Sequence, residues 1–104
     1  MKMRTRTYNL LKQLYGKRFV ASLPYLSEDF EVVVTRDDGI IEVSSILNEY
    51  ACYINPKEFF CSCMDNFVRK TICKHIIATL LKAFSENKLT EFELVNLLVW
   101  SVGD

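Results

Sequence analysis

Cys61-Ser62-Cys63-Met64-Asp65-Asn66-Phe67-Val68-Arg69-Lys70-Thr71-Ile72-Cys73-Lys74-His75 is the stretch around which this chain is organised. It holds three of the four cysteines and the only histidine. The pattern is Cys-x-Cys, nine intervening residues, then Cys-x-His. Three thiolates and one imidazole make a tetrahedral donor set for zinc with no position left for water, which describes a structural site rather than a catalytic one. Cys61, Cys63, Cys73 and His75 are therefore the expected metal ligands, and one structural Zn2+ the expected cofactor.

The spacing has a physical reading. Side chains two apart on a strand point to the same side. A strand ending here presents Cys61 and Cys63 to the metal and turns Ser62 away. Met64 to Ile72 then read as a loop that brings the chain back. Cys73 is expected just before a helix and His75 in its first turn, where free N–H groups carry partial positive charge and favour thiolates. Arg69, Lys70 and Lys74 add full positive charge beside a centre that is formally negative. Ordinary buried cysteines and disulfides are the competing readings. A Cys-x-Cys bridge is strained, and no secretory signal is expected, so the metal is favoured.

These residues resemble a SWIM zinc finger. The likeness is carried by Phe59-Phe60-Cys61-Ser62-Cys63-Met64-Asp65 and by Ile72-Cys73-Lys74-His75-Ile76-Ile77-Ala78. SWIM fingers show Cys-x-Cys followed closely by an acidic residue and an aromatic, here Asp65 and Phe67, with the aromatic one place late. They then show Cys-Lys-His followed by aliphatics and Ala. The likeness covers roughly residues 50–84. Upstream, Tyr15-Gly16-Lys17-Arg18-Phe19 is similar to the Gly-x-Arg-Phe helix of short archaeal SWIM proteins. The resemblance implies a ββα finger. It also implies an accessory role beside recombinase paralogues, RecA-like ATPases of homologous recombination and DNA repair.

A chain of 104 residues, half of them hydrophobic and 12% aromatic, is read as one domain over residues 1–104 with ample material for one core. No apolar run reaches the length of a membrane span, and no apolar signal region with a cleavage site is read at the N-terminus. Four cysteines in such a chain point to metal ligation in a reducing, intracellular, cytoplasmic compartment. Net charge is zero but unevenly spread. Lys2, Arg4, Arg6, Lys12, Lys17 and Arg18 meet no acid up to residue 18, whereas Glu28, Asp29, Glu31, Asp37, Asp38 and Glu42 meet only Arg36. The basic end could contact phosphates. A solvated helix face is the plainer reading, since dedicated nucleic-acid domains are usually basic overall.

Taken in order, residues 5–22 are predicted as one helix, with Tyr8, Leu11, Tyr15, Phe19 and Ser22 on a core stripe flanked by Leu10 and Leu14. Gly16 weakens it by about 1 kcal/mol, and Pro24 ends it. Strands are predicted over 30–35, 40–46, 50–54 and 59–63, with an Asp-Gly hairpin between the first two. Cys52, the leftover cysteine, reads as a small buried hydrophobe. The helix after His75 runs to Phe84 or Ser85, with Ile77, Leu80, Leu81 and Phe84 inward and Thr79 and Lys82 outward. Thr90-Glu91-Phe92-Glu93 is a capping box, and a helix apolar nearly all round follows it to about Val102.

The expected fold class is α+β: an N-terminal helix, a small antiparallel sheet, a zinc-stabilised ββα finger and a C-terminal apolar helix. No Ser/His/Asp set, phosphate loop or paired-acid constellation is read, so an enzyme, a small-molecule substrate and a membrane role are not expected. The first function is a protein-interaction module. In it Leu94, Leu97, Leu98 and Ser101 pack on the core. Val95, Val99, Trp100 and Val102 meet a RecA-like ATPase paralogue or a second copy in a homodimer. The second function is nucleic-acid binding through Arg4, Arg6, Lys17, Arg18, Arg69, Lys70 and Lys74. The arrangement of charge discriminates between them: nucleic-acid binding gains if residues 1–18 and 69–74 share a face.

Overall fold

The computed structural model describes residues 3–103, with side chains to residue 99. Two helices, α1 (Thr5–Tyr15) and α2 (Lys17–Ser22), lead into a short 3-10 helix (Leu23–Ser27). Four strands follow: β1 (Val32–Asp37), β2 (Ile40–Leu47), β3 (Tyr50–Ile54) and β4 (Phe59–Cys61). They form one antiparallel sheet in sequence order. Then come α3 (Met64–Arg69), α4 (Lys74–Ser85) and α5 (Glu91–Gly103). The class is α+β, as expected. No helix among the described residues is long and apolar enough to cross a membrane.

Alternation builds the sheet. Val32, Val43, Leu47, Cys52, Ile54 and Cys61 are buried on the inner face, while Val33, Ile46 and Phe60 remain exposed on the other. Asp38 and Gly39 both take positive φ, 55° and 77°, which is the geometry a two-residue hairpin demands and glycine supplies without strain. Asn48 and Glu49 repeat the geometry at 48° and 71° with no glycine.

Two expectations are corrected. The helix predicted over 5–22 breaks at Gly16, which turns to φ 55° and ψ −120° and separates α1 from α2. No atom lies within 4 Å of where its Cβ would sit, so glycine is required here by backbone torsion rather than by space. The α-helical run does end at Ser22, as expected, and Pro24 sits in the first turn of the 3-10 helix that follows, where its missing N–H is harmless. Thr79 and Lys82 do not face solvent. The Thr79 hydroxyl donates to the His75 carbonyl at 2.8 Å and lies 2.7 Å from Ser45 Oγ of β2. The Lys82 ammonium donates to the Glu28 carbonyl at 3.1 Å and lies over the Phe30 ring.

The reason is the position of α4. It touches all four strands, α2, the 3-10 helix and α5, and every residue from His75 to Leu81 is buried. A helix covered on all sides carries apolar residues all round, and its one buried hydroxyl must find partners, as Thr79 does. Over its described side chains, residues 91–99, α5 is covered on one side only. Leu94, Leu97 and Leu98 are buried, Val95 is half-buried, and Phe92 and Val99 are exposed. Its capping box forms as predicted, with Thr90 and Glu93 each accepting the other's backbone N–H at 3.1 and 2.9 Å.

Candidate metal centre

Cys61, Cys63, Cys73 and His75 converge. Their ligand atoms all lie within 4.8 Å of one another, and all four residues are buried. A zinc tetrahedron with Zn–S of about 2.3 Å and Zn–N of about 2.0–2.1 Å has edges of roughly 3.6–3.8 Å. Two S···N edges are already close to this: His75 Nδ1 lies 3.8 Å from Cys61 Sγ and 3.9 Å from Cys73 Sγ. The cluster can therefore hold one metal ion, with Nδ1 as the imidazole donor, and its donor chemistry fits zinc.

The route to this geometry differs from the predicted one. Strand β4 stops at Cys61, so Cys63 is not a strand residue facing the same side. It is the N-cap of α3, and its sulfur accepts the Asn66 N–H at 3.5 Å. Residues 64–72 are not a plain loop, because α3 occupies most of them. The second pair is arranged as expected: Cys73 caps α4 and His75 sits in its first turn. The Cys63 sulfur thus already accepts one backbone N–H, that of Asn66. Such a bond favours the thiolate that a metal needs.

Without a cation the thiols resist ionisation. The hydrogen bond with Cys52 pushes Cys61 up to about 12, and the hydrogen bond with Cys61, followed by burial, pushes Cys73 up to about 12. A metal must displace these protons. Zinc affinity is therefore expected to weaken as pH falls, which chelator competition between about pH 6 and 8 would read. An affinity flat across that window would contradict the thiolate donor set. The metal-free fold has the opposite sign. Its raised thiols favour folding below their ordinary value of 9.0, and that contribution is lost as pH rises toward 12.

Several partners were not visible as a pattern in the sequence. Tyr25 Oη lies 3.4 Å from His75 Nε2 and fits as its acceptor, which would leave Nδ1 free for a metal. Tyr50 stacks on the imidazole with centroids 4.3 Å apart. Asn66 is buried and bridges the two halves of the cluster: its Oδ1 accepts the Cys61 N–H at 3.0 Å, and its Nδ2 donates to the Thr71 carbonyl at 2.8 Å. Cys52 is cross-strand from Cys61, with sulfurs 3.7 Å apart, and lies outside the four-residue cluster.

The basic residues divide. Lys17, Arg18, Arg69 and Lys74 line one groove of about 680 Å³ beside the cluster. Arg18 makes a two-pronged contact with Asp65 at 2.8 and 3.0 Å, and Arg69 joins the same carboxylate at 3.2 Å. The Arg18 guanidinium holds the Asp65 carboxyl below the usual carboxylate range. Arg4, Arg6 and Lys70 are exposed and do not line this groove. Arg4 instead lies near α5, where its backbone N–H reaches Glu91. Of the four α5 residues expected at a partner surface, Val99 is exposed and Val95 half-buried. The side chains of Trp100 and Val102 fall outside those described. No family model, curated protein or solved structure matches the chain.

Proposed function

We propose that this chain is a non-enzymatic interaction module held together by one structural zinc. The observation that carries the interaction reading is the division of α5. Leu94, Leu97 and Leu98 are buried, whereas Phe92 is 75% and Val99 39% exposed on the same short helix. Phe92 and Val99, two turns apart, share one helix face with the half-buried Val95 between them, and contiguous exposed apolar surface of this kind marks contact sites. His75, the only histidine, lies in the metal cluster and so is not offered as a general base. The finer reading is an accessory subunit that docks a RecA-like ATPase paralogue in recombination and repair. Its support is the likeness of Cys61-Ser62-Cys63 and Cys73-Lys74-His75 to SWIM fingers.

The double variant Phe92→Glu/Val99→Glu tests this. It is expected to reduce association with the partner, or with a second copy, at least tenfold, while zinc content and helicity persist. Light scattering and capture from the source cell would measure it. A wild-type chain that is monomeric and retains no partner would end the reading.

A second reading, binding of nucleic acid, is favoured by one specific observation. Residues 17 and 18 share a groove with residues 69 and 74, and a shared face is what contact with phosphates requires.

A further inference from the structure

The helix α3 is inside out. Met64, Phe67 and Val68 fall at i, i+3 and i+4, the spacing of one helix face. Such a stripe ordinarily turns to the core. Here the three side chains are 71%, 74% and 63% exposed. The inward positions belong to Asp65, which ties α3 to Arg18, and to Asn66, which ties Cys61 to Thr71. Among the described residues these three side chains are not part of the core or packed against it, and the face stands at the lip of the cationic groove, which Met64 and Val68 help to line.

We infer that this groove, with the outward face of α3 as its lip, is a binding site for single-stranded nucleic acid. The inference rests on the nucleic-acid reading above and narrows it to one strand and to a stacking residue, Phe67. Four cations from three helices meet there against one carboxylate, Asp65, and the formally negative centre whose Cys63, Cys73 and His75 also line the groove, which leaves an excess of positive charge. None of the acids at 28–42 lines the groove. Phosphates are the complementary charge, and Arg and Lys bind them by charge-assisted hydrogen bonds.

Aromatic side chains beside such a groove stack on the faces of unpaired bases. A duplex hides those faces. Its major groove is read through hydrogen-bond donors and acceptors, which Met64, Phe67 and Val68 lack. A two-turn helix whose projecting face is apolar is suited to bases already out of a stack.

The test uses the zinc-loaded full chain and fluorescence anisotropy. The probes are labelled oligothymidine and oligouridine of about 20 nucleotides and a duplex of equal length, which span the site size of such grooves. Single strands are expected to bind at least about tenfold tighter than duplex, because stacking adds to a charge term that both share. Phe67→Ala should weaken single-strand binding about tenfold, with little change in the dependence on salt. Lys17→Gln and Lys74→Gln should each make that dependence shallower by about 0.7 in the log–log slope.

Equal affinity for duplex and single strands, or an unaffected Phe67→Ala, overturns the inference and leaves the broader reading standing. Absence of binding to any oligonucleotide at about 50 mM salt, with zinc and helicity intact, removes both. If no oligonucleotide binds and Phe67→Glu breaks capture of a protein partner, the α3 face is a protein-docking surface and the inference is overturned. Phe67 and the two lysines lie outside the metal ligands, so zinc content and circular dichroism separate lost binding from lost fold.

Discussion

Cys63→Ala, or withdrawal of zinc by a strong chelator, is expected to unfold the finger over residues 50–84. Cys63 joins two roles: it is one of the four clustered donors and the N-cap of α3. The metal would tie the end of β4, the start of α3 and the start of α4, points joined only by Ser62 and by the short helix α3, whose apolar side chains are exposed. Zinc binding in finger peptides is worth on the order of 10 kcal/mol, comparable with the whole stability of a small domain. Cys61 and Cys73, left without a cation, resist ionisation, so the cluster offers no substitute. Cys52→Ala is the control. It removes a buried thiol that packs 3.7 Å from Cys61 but lies outside the cluster, and should cost about 1–2 kcal/mol with zinc retained. Elemental analysis should give about one zinc per chain before substitution, as one four-donor site requires. Equal melting losses for the two variants, or full zinc retention by Cys63→Ala, would show that the ligand assignment is wrong.

Asn66→Leu is expected to have the next largest effect. The substitution keeps approximate volume but abandons two backbone groups, the Cys61 N–H and the Thr71 carbonyl. A buried polar group left without its partner costs about 1–3 kcal/mol, so roughly 2–6 kcal/mol is at stake for the pair. The loss should appear in denaturant unfolding of zinc-saturated protein and as faster exchange of the Cys61 amide. Phe67→Ala, two-thirds or more exposed on the same helix, should stay within about 0.5 kcal/mol of the parent. A neutral Asn66→Leu would mean that the metal alone positions the loop and that the amide bridge is incidental.

Local chemistry made the cluster readable. Ligand identity and spacing lie within fifteen consecutive residues, and Cys73 and His75 obey helix-start geometry that depends on near neighbours alone. The first hairpin was equally legible, since Asp38-Gly39 encodes its own torsions. Gly16 was harder. A glycine inside an amphipathic run is usually tolerated at about 1 kcal/mol, and nothing nearby in sequence announces that it will turn to positive φ. The stripe Leu11, Tyr15, Phe19 and Ser22 still reached the core. Tyr15 reaches far enough to donate to the Leu98 carbonyl of α5 at 2.5 Å, and its burial raises the phenol well above its usual range.

The amino-acid sequence by itself determined the donor set, the first hairpin and the capping box of α5, because each depends on torsional preference, side-chain period or ligand spacing within a few residues. Tertiary structure alone decided which helix would be covered all round. Apolar periodicity pointed to α5, but the sheet, α2 and α5 together enclose α4. It also decided that Met64, Phe67 and Val68 face outward, since the inward positions of α3 were claimed by Asp65 and Asn66 through partners at residues 18, 61 and 71. The groove follows from the same cause. Lys17 and Arg18 meet Arg69 and Lys74 only because α2 packs against α4, and a charge surface assembled from segments some fifty residues apart has no period or motif in the chain that could announce it.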